Sequence, residues 1–227
     1  MSVYSKELIG KNELSEQDFM RMYQLVDSYY ENITPKEFFR ALAKIDYIFL
    51  VRGGQNSVLA FTTLQLLHIG GKRQNIQGLL VGDIILHKDY AESINIFAEA
   101  ITRYHLQGVK GKVGYVYLAC KDIWTYQMFQ EAFGRCYPNQ REKTPLSVRK
   151  LINLFGEFYF HHEFEKSTGW IKHTCMPQQK IRENRMRAYK GECVFFSFQN
   201  QEYRKGHELV CIAELSENKS NASKNLT

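Results

Sequence analysis

The sequence predicts an α/β (α+β) domain: a mixed, mostly antiparallel central sheet flanked by helices, with a helical and irregular C-terminal extension. Three observations predict it. Two glycine turns, Gly53-Gly54-Gln55-Asn56 and Gly70-Gly71-Lys72-Arg73, separate three runs rich in β-branched and aromatic residues, the pattern of an antiparallel meander. After His87-Lys88-Asp89-Tyr90 the apolar spacing changes to that of a helix. That helix stands between two strands, which favours a parallel pair, because a crossover needs about this length of chain.

Residues 2–9 read as a first strand. Ser15 is placed to cap a helix on which Phe19, Met22, Tyr23, Val26 and Tyr30 share a face. Thr34-Pro35-Lys36-Glu37 is a complete helix start: Thr34 caps, Pro35 suits the first helical position and Glu37 closes a capping box. Phe38, Phe39 and Leu42 form the expected buried side. Strands follow at 47–51, 58–67 and 77–87. Ile94, Phe97, Ile101 and Tyr104 make the next helical stripe. Residues 113–120 read as a strand, and 122–133 as a helix with Trp124, Met128 and Ala132 inward.

Beyond Pro138 comes a polar loop at 139–144. A helix over 146–159 follows, with Leu151, Leu154, Phe155 and Phe158 on one side. Residues 161–187 read as a polar, irregular excursion, and 194–198 and 209–213 as two closing strands. We expect one domain over 1–215, with its core at 1–138 and an extension at 139–215. The tail at 216–227 is Ser-, Asn- and Lys-rich and is expected to be disordered.

Composition bounds the function. The chain has 227 residues, 44% hydrophobic and 24% charged, which excludes a mainly disordered chain. Its 14 Tyr and 15 Phe predict a ring-rich core or pocket. Five cysteines without a CxxC point to reduced thiols rather than a disulfide framework. No apolar leader and no membrane-length apolar run stand out, so the cytoplasm is the expected compartment. The net charge of +6 suits an anionic ligand, a phosphorylated cofactor or an acidic carrier protein. It is not gathered into a basic stripe, which argues against nucleic acid. Oligomeric state is left open.

Several residues invite chemical readings. Asp83 stands among apolar neighbours, so it is either a base or amine anchor, or a hydrogen-bonded structural carboxylate. His87 closes the same strand with the right intrinsic pKa for proton transfer, or is a surface His before a loop. Tyr115 and Tyr117 share a strand face and line either a tunnel or the core. Cys120 beside Lys121 is either a low-pKa nucleophile or a buried strand thiol. His161-His162-Glu163 with His173 and Cys175 lacks any standard zinc spacing, so no metal is expected. The glycines at 108, 111 and 114 do not form a phosphate loop.

The element order is strand, two helices, meander, helix, strand, helix and late strands. With Val81-Gly82-Asp83-Ile84-Ile85-Leu86-His87 leading toward a helix, and Val116-Tyr117-Leu118-Ala119-Cys120 leading into another, residues 2–138 resemble the GNAT superfamily of acyl-CoA-dependent N-acyltransferases. Met22-Tyr23-Gln24-Leu25, Tyr29-Tyr30, Tyr137-Pro138 and Gly206-His207-Glu208-Leu209-Val210-Cys211 resemble a bacterial GNAT-like group and imply no substrate.

The resemblance implies acyl transfer from acyl-CoA or acetyl-CoA to an amine of a small molecule or peptide. The central strand, at Ile84 and Leu86, would meet the thioester. Ser93, Ile94 and Asn95 would meet the pyrophosphate, with Lys121 steering phosphate. Asp83 or His87 would be the base, and Tyr126 the acid that protonates the departing thiolate. The family's phosphate motif has an Arg or Gln followed by glycines. Here Ala91-Glu92-Ser93-Ile94-Asn95-Ile96 has none of these, and Glu92 brings a like charge, or simply favours the helix dipole. That departure keeps two alternatives open. One is a donor carried on acyl carrier protein, as for an N-acyl amino acid or autoinducer-type synthase, with Lys88 and Lys121 meeting the carrier. The other is a catalytically silent binding module.

Overall fold

A computed structural model of the chain describes residues 4–28, 30–31, 33–69, 76–82, 84–87, 90, 95–106, 114–172 and 190–215 (for 190–193, the backbone). In chain order, β1 (Ser5–Gly10), α1 (Glu16–Asp27), α2 (Pro35–Leu42), β2 (Tyr47–Arg52), β3 (Val58–Ile69) and β4 (Ile76–Val81) form the first half. They are followed by β5 (Ile85–Leu86), α3 (Ile96–Leu106), β6 (Tyr115–Cys120), α4 (Ile123–Ala132) and β7 (Cys136–Tyr137). The rest is α5 (Leu146–Phe160), β8 (Phe164–Glu165), β9 (Trp170–Ile171), α6 (Lys190–Gln199) and β10 (Glu208–Glu214).

The strands make one mixed sheet, ordered β1-β2-β3-β4-β6-β10-β9-β8, with β5 on β3 and β7 on β10. Among the described residues β4 and β6 are the parallel pair, and every other pairing is antiparallel. α3 is the crossover between β4 and β6, as its length requires.

Strand alternation divides the core between the two faces. Leu79, Val81, Val116, Leu118, Cys120, Leu209 and Cys211 point to the face covered by α3, α4 and α6. On the other face Ile48, Leu50, Phe61 and Ile85 meet α1 and α2. Further along that face Leu67, Tyr117, Val210 and Ile212 meet α5.

The helix starts follow from their caps. Ser15 Oγ accepts the Asp18 N–H at 3.1 Å. Thr34 Oγ1 accepts the Glu37 N–H at 3.2 Å, and Glu37 Oε2 accepts the Thr34 N–H at 2.8 Å. Such a cap contributes about 1 kcal/mol.

Five expectations are corrected here. Phe39 is 65% exposed: Phe38 and Leu42, one turn apart, take the sheet side, and Phe39 turns away against the edge of Phe19. The described part of the 161–187 stretch, up to residue 172, is a hairpin that extends the sheet through β9 to β10. Residues 194–198 lie in α6 rather than a strand. β10 already has β6 on one edge and β7 and β9 on the other, so no ladder position is left beside it. α6 instead inserts Phe196 against Tyr126, at 5.3 Å between ring centroids. Finally, α4 turns Tyr126 and Phe129 inward beside the expected Met128, while Trp124 is only partly buried, and α5 buries Ile152, Phe155 and Gly156 while Phe158 stays half exposed.

Candidate functional site

The expected third strand at 77–87 is not continuous, and its interruption creates the candidate site. Up to the Leu64–Val81 rung, β4 and β3 pair in simple register. From that rung to Phe61–Ile85, β3 spends three residues and the opposing strand four, so a one-residue bulge falls just after Val81. The bulge reverses the side-chain alternation. Val81 faces the α3/α4 side, and so do Ile84 and Leu86 beyond it, while Ile85 faces α1 and α2.

Gly82 opens the bulge. Its N–H donates to the Thr63 carbonyl at 2.8 Å, and its own carbonyl accepts the Thr62 hydroxyl at 3.0 Å. A Cβ there would lie 2.1 Å from Thr63 Oγ1, so any larger residue would force the Thr63 side chain to turn away.

Past the bulge the two parallel strands part. Their last rung is Val81–Leu118. Residues 84–87 stay with β3, through the Ile85 and Leu86 rungs and the His87 N–H to Leu59 O bond at 2.6 Å. Ala119 and Cys120 stay with β10. Among the described residues no rung joins the two lips. α3 follows one lip and α4 the other.

The sequence-derived site residues fall around this divergence as follows. Ile84 and Leu86 are buried on the α3/α4 side, in the same apolar cluster as Tyr126. His87 is partly buried at the end of its lip. Tyr126 is 1% exposed on α4, and its hydroxyl donates to the Pro138 carbonyl at 2.9 Å. Phe195 and Phe196 of α6 cover its ring. Asn95 accepts the Ala98 N–H at 3.2 Å and donates its amide to the Met128 carbonyl at 2.8 Å, so it caps α3 and braces α4. Asp83, Lys88, Glu92, Ser93 and Ile94 lie outside the described residues, as do His173 and Cys175.

Lys121 is the first residue past β6 and projects to the opposite face from Cys120. Its Nζ lies 5.1 Å from the Tyr30 ring centroid and 3.4 Å from the Tyr30 hydroxyl. It also lies 3.4 Å from Glu208 Oε1 at the start of β10. Glu208 is 3% exposed, a carboxylate kept in a dry place by a facing cation. Tyr30 packs in the α1/α2 cluster, so Lys121 reaches from the end of β6 to the helices on that face. Sequence reasoning missed Glu208 and placed Tyr30 only on an apolar stripe. The available signal for Glu208 was the one that singled out Asp83: an acid adjoining an apolar run, here 209–213.

Electrostatics narrows the remaining candidates. Burial pushes the Cys120 thiol well up, and the neighbouring Cys211 thiol adds to the rise, which disfavours the nucleophilic thiolate. Tyr117 is fully buried and stacks on Phe155, with centroids 4.4 Å apart, and its hydroxyl is raised by burial. Among the described residues no group of His, Cys, Asp and Glu is arranged to hold a metal, and no helix is long and apolar enough to cross a membrane.

Comparison with protein-family models and with curated proteins finds no match. Solved structures do resemble the chain. One, from Enterococcus faecalis V583, is described as a probable N-acyltransferase: identity is 16% and TM-score 0.40, over 56% of this chain and 32% of that one. This chain therefore spans about a third of that protein's length. An aminoglycoside acetyltransferase from an uncultured soil metagenomic sample, solved with sisomicin, is 12% identical at TM-score 0.43, over 63% of this chain and 92% of that one. A GNAT family N-acetyltransferase from Escherichia coli, in complex with CoA, is 7% identical at TM-score 0.41, over 56% of this chain and 68% of that one.

Proposed function

We propose that the chain transfers an acyl group from an acyl thioester, with acyl-CoA or acetyl-CoA as the donor, to an amine of a small molecule or peptide. The observation that carries this reading is the bulge after Val81 and the parting of two parallel strands beyond it. A gap between parallel strand ends suits an extended arm bearing amides, because the lips offer backbone groups as a sheet edge does. The donor's pantetheine arm is such a group.

In this reading the backbone at Ile84 and Leu86 holds the thioester carbonyl and the arm. Asp83 or His87 takes the proton from the attacking amine, and Tyr126 returns one to the departing thiolate. Ser93, Ile94 and Asn95 are the proposed contacts for the donor's phosphates. For Tyr126 to act, its hydroxyl must exchange the Pro138 carbonyl for the sulfur.

A donor on acyl carrier protein is favoured by one observation. The 91–96 stretch has no glycine, and the Asn95 side chain is committed to α3 and α4. A carrier's arm bears a single phosphodiester and asks less of that stretch.

The test is the melting temperature of the pure chain with CoA, acetyl-CoA and longer acyl-CoAs. A ligand at about 100 times its Kd stabilises by ~2.7 kcal/mol. For a chain of this size that is a rise of about 5–10 °C. A rise that grows with acyl length supports an acyltransferase with an acyl tunnel. No rise with any of them overturns the CoA donor and leaves the carrier-bound donor or the silent module.

A further inference from the structure

We propose that Lys121 is itself an acylation site: its side-chain amine takes the acyl group from a thioester bound between the parted strands. The inference rests on the acyl-thioester reading above and adds an acceptor that belongs to the chain.

Three observations carry it. The first is position. Lys121 directly follows the last residue of β6, and its Nζ contacts Tyr30, which shares an apolar cluster with Ile85 on the opposite lip. The amine therefore sits at the end of the β6 lip, three residues past the last rung that joins the parted strands. The second is a built-in proton acceptor. Glu208 Oε1 is 3.4 Å from Nζ, and the residue is 3% exposed. The third is shielding. The Lys121 side chain is 22% exposed and rests on a ring face, so the amine is held in place. A lysine on the open surface samples many rotamers and is strongly hydrated, whereas this one is oriented before it reacts.

The proton has a short path, because Glu208 Oε1 faces Nζ at 3.4 Å. The step then balances. The Lys121 ammonium gives one proton to Glu208. The free amine attacks the thioester carbonyl, the C–N bond forms and the C–S bond breaks. The second nitrogen proton leaves with the tetrahedral collapse and goes to the thiolate. The products are an amide on Lys121, a free thiol and one proton released from Glu208. Because an amide does not return the acyl group, the product is a stable modification. It removes the positive charge that faces Glu208 and places an acyl chain in the opening, so it also slows entry of the next donor.

The experiment uses the full chain with two probes, acetyl-CoA and S-acetyl-N-acetylcysteamine, the second a thioester arm without pyrophosphate. Intact mass and peptide mapping are followed over time, with the melting temperature measured beside them. The expected result is one acetyl group per chain on Lys121, formed at least about 10-fold faster than on any other lysine, as positioned reactants require. Lys121→Arg abolishes that fast phase. Glu208→Gln slows it by about 100-fold, the scale of a lost general base, without changing the slow background on other lysines. Acetyl-CoA binding with Lys121 no faster than the exposed lysines overturns the modification and leaves the donor reading intact. Unselective labelling with no thermal shift from either probe overturns both. If Lys121→Arg does not fold, the wild-type peptide map decides alone.

Discussion

Single side chains show where this fold tolerates a cost. Tyr117 is fully buried, and its hydroxyl has no hydrogen-bond partner among the described residues. Its ring is held by Phe155 and by the near-glycine gap at Gly78, where a Cβ would lie 2.7 Å from the ring. The ring is needed and the hydroxyl is a burden, because an unmet buried hydroxyl costs about 1–3 kcal/mol. Tyr117→Phe is therefore expected to stabilise the chain by about 1 kcal/mol in urea unfolding. A loss of stability instead would mean that the hydroxyl has a partner, such as a bound water. The sequence had already placed Tyr115 and Tyr117 on one face but could not choose between tunnel and core. The stack on Phe155, a residue far along the chain, makes the choice.

At the scale of elements, α5 illustrates how packing overrides propensity. Gly156 lies inside this helix, where alanine is ordinarily better by about 1 kcal/mol. Yet a Cβ at Gly156 would lie 2.4 Å from ring atoms of Phe164 in β8. Overpacking of that kind costs about 1–3 kcal/mol, so Gly156→Ala is expected to destabilise by about 1–2 kcal/mol. Adding Phe164→Leu should recover part of the loss, and a purely additive double mutant would refute the contact. The same balance explains which elements were legible. The caps at Ser15 and Thr34 are local hydrogen bonds, so they could be read from spacing alone. α6 could not. Its Val-Phe-Phe-Ser-Phe run has strand composition, and what excludes a strand is that β10 has both edges occupied. The site divided the same way. Ile84 and Leu86 could be read onto the central strand, though the sequence reads as one unbroken strand through Gly82, whereas the Lys121–Glu208 pair depends on β6 and β10 becoming neighbours across almost ninety residues of chain.

For the molecule as a whole, one partly buried charge network ties the first helix to the sheet edge. Arg52 of β2 donates to Asp18 of α1 and to Glu7 of β1. The Arg52 hydrogen bond holds the Asp18 carboxyl below its ordinary range, against the opposing effect of burial. A depressed carboxylate stabilises the fold above its unfolded pKa of about 3.9, and that contribution fades as pH falls through the lower folded value. Asp18→Asn should thus cost about 2 kcal/mol at pH 7, the scale of a hydrogen bond to a charged group, and progressively less below about pH 4. Equal losses at pH 7 and pH 2 would show that the effect is packing rather than charge.

The strand order has a temporal side. β10 occupies the middle of the sheet between β6 and β9, yet it comes after every other strand among the described residues. During synthesis the sheet therefore waits, with the β6 edge open, until residues 208–214 leave the ribosome. An open central edge is the surface on which unrelated strands add, so the nascent chain is aggregation-prone in the interval before β10 arrives. A premature stop anywhere before Glu208 would leave that edge open for good. Such a product would lack the seam of the sheet itself, and Lys121 would lose its facing carboxylate along with it.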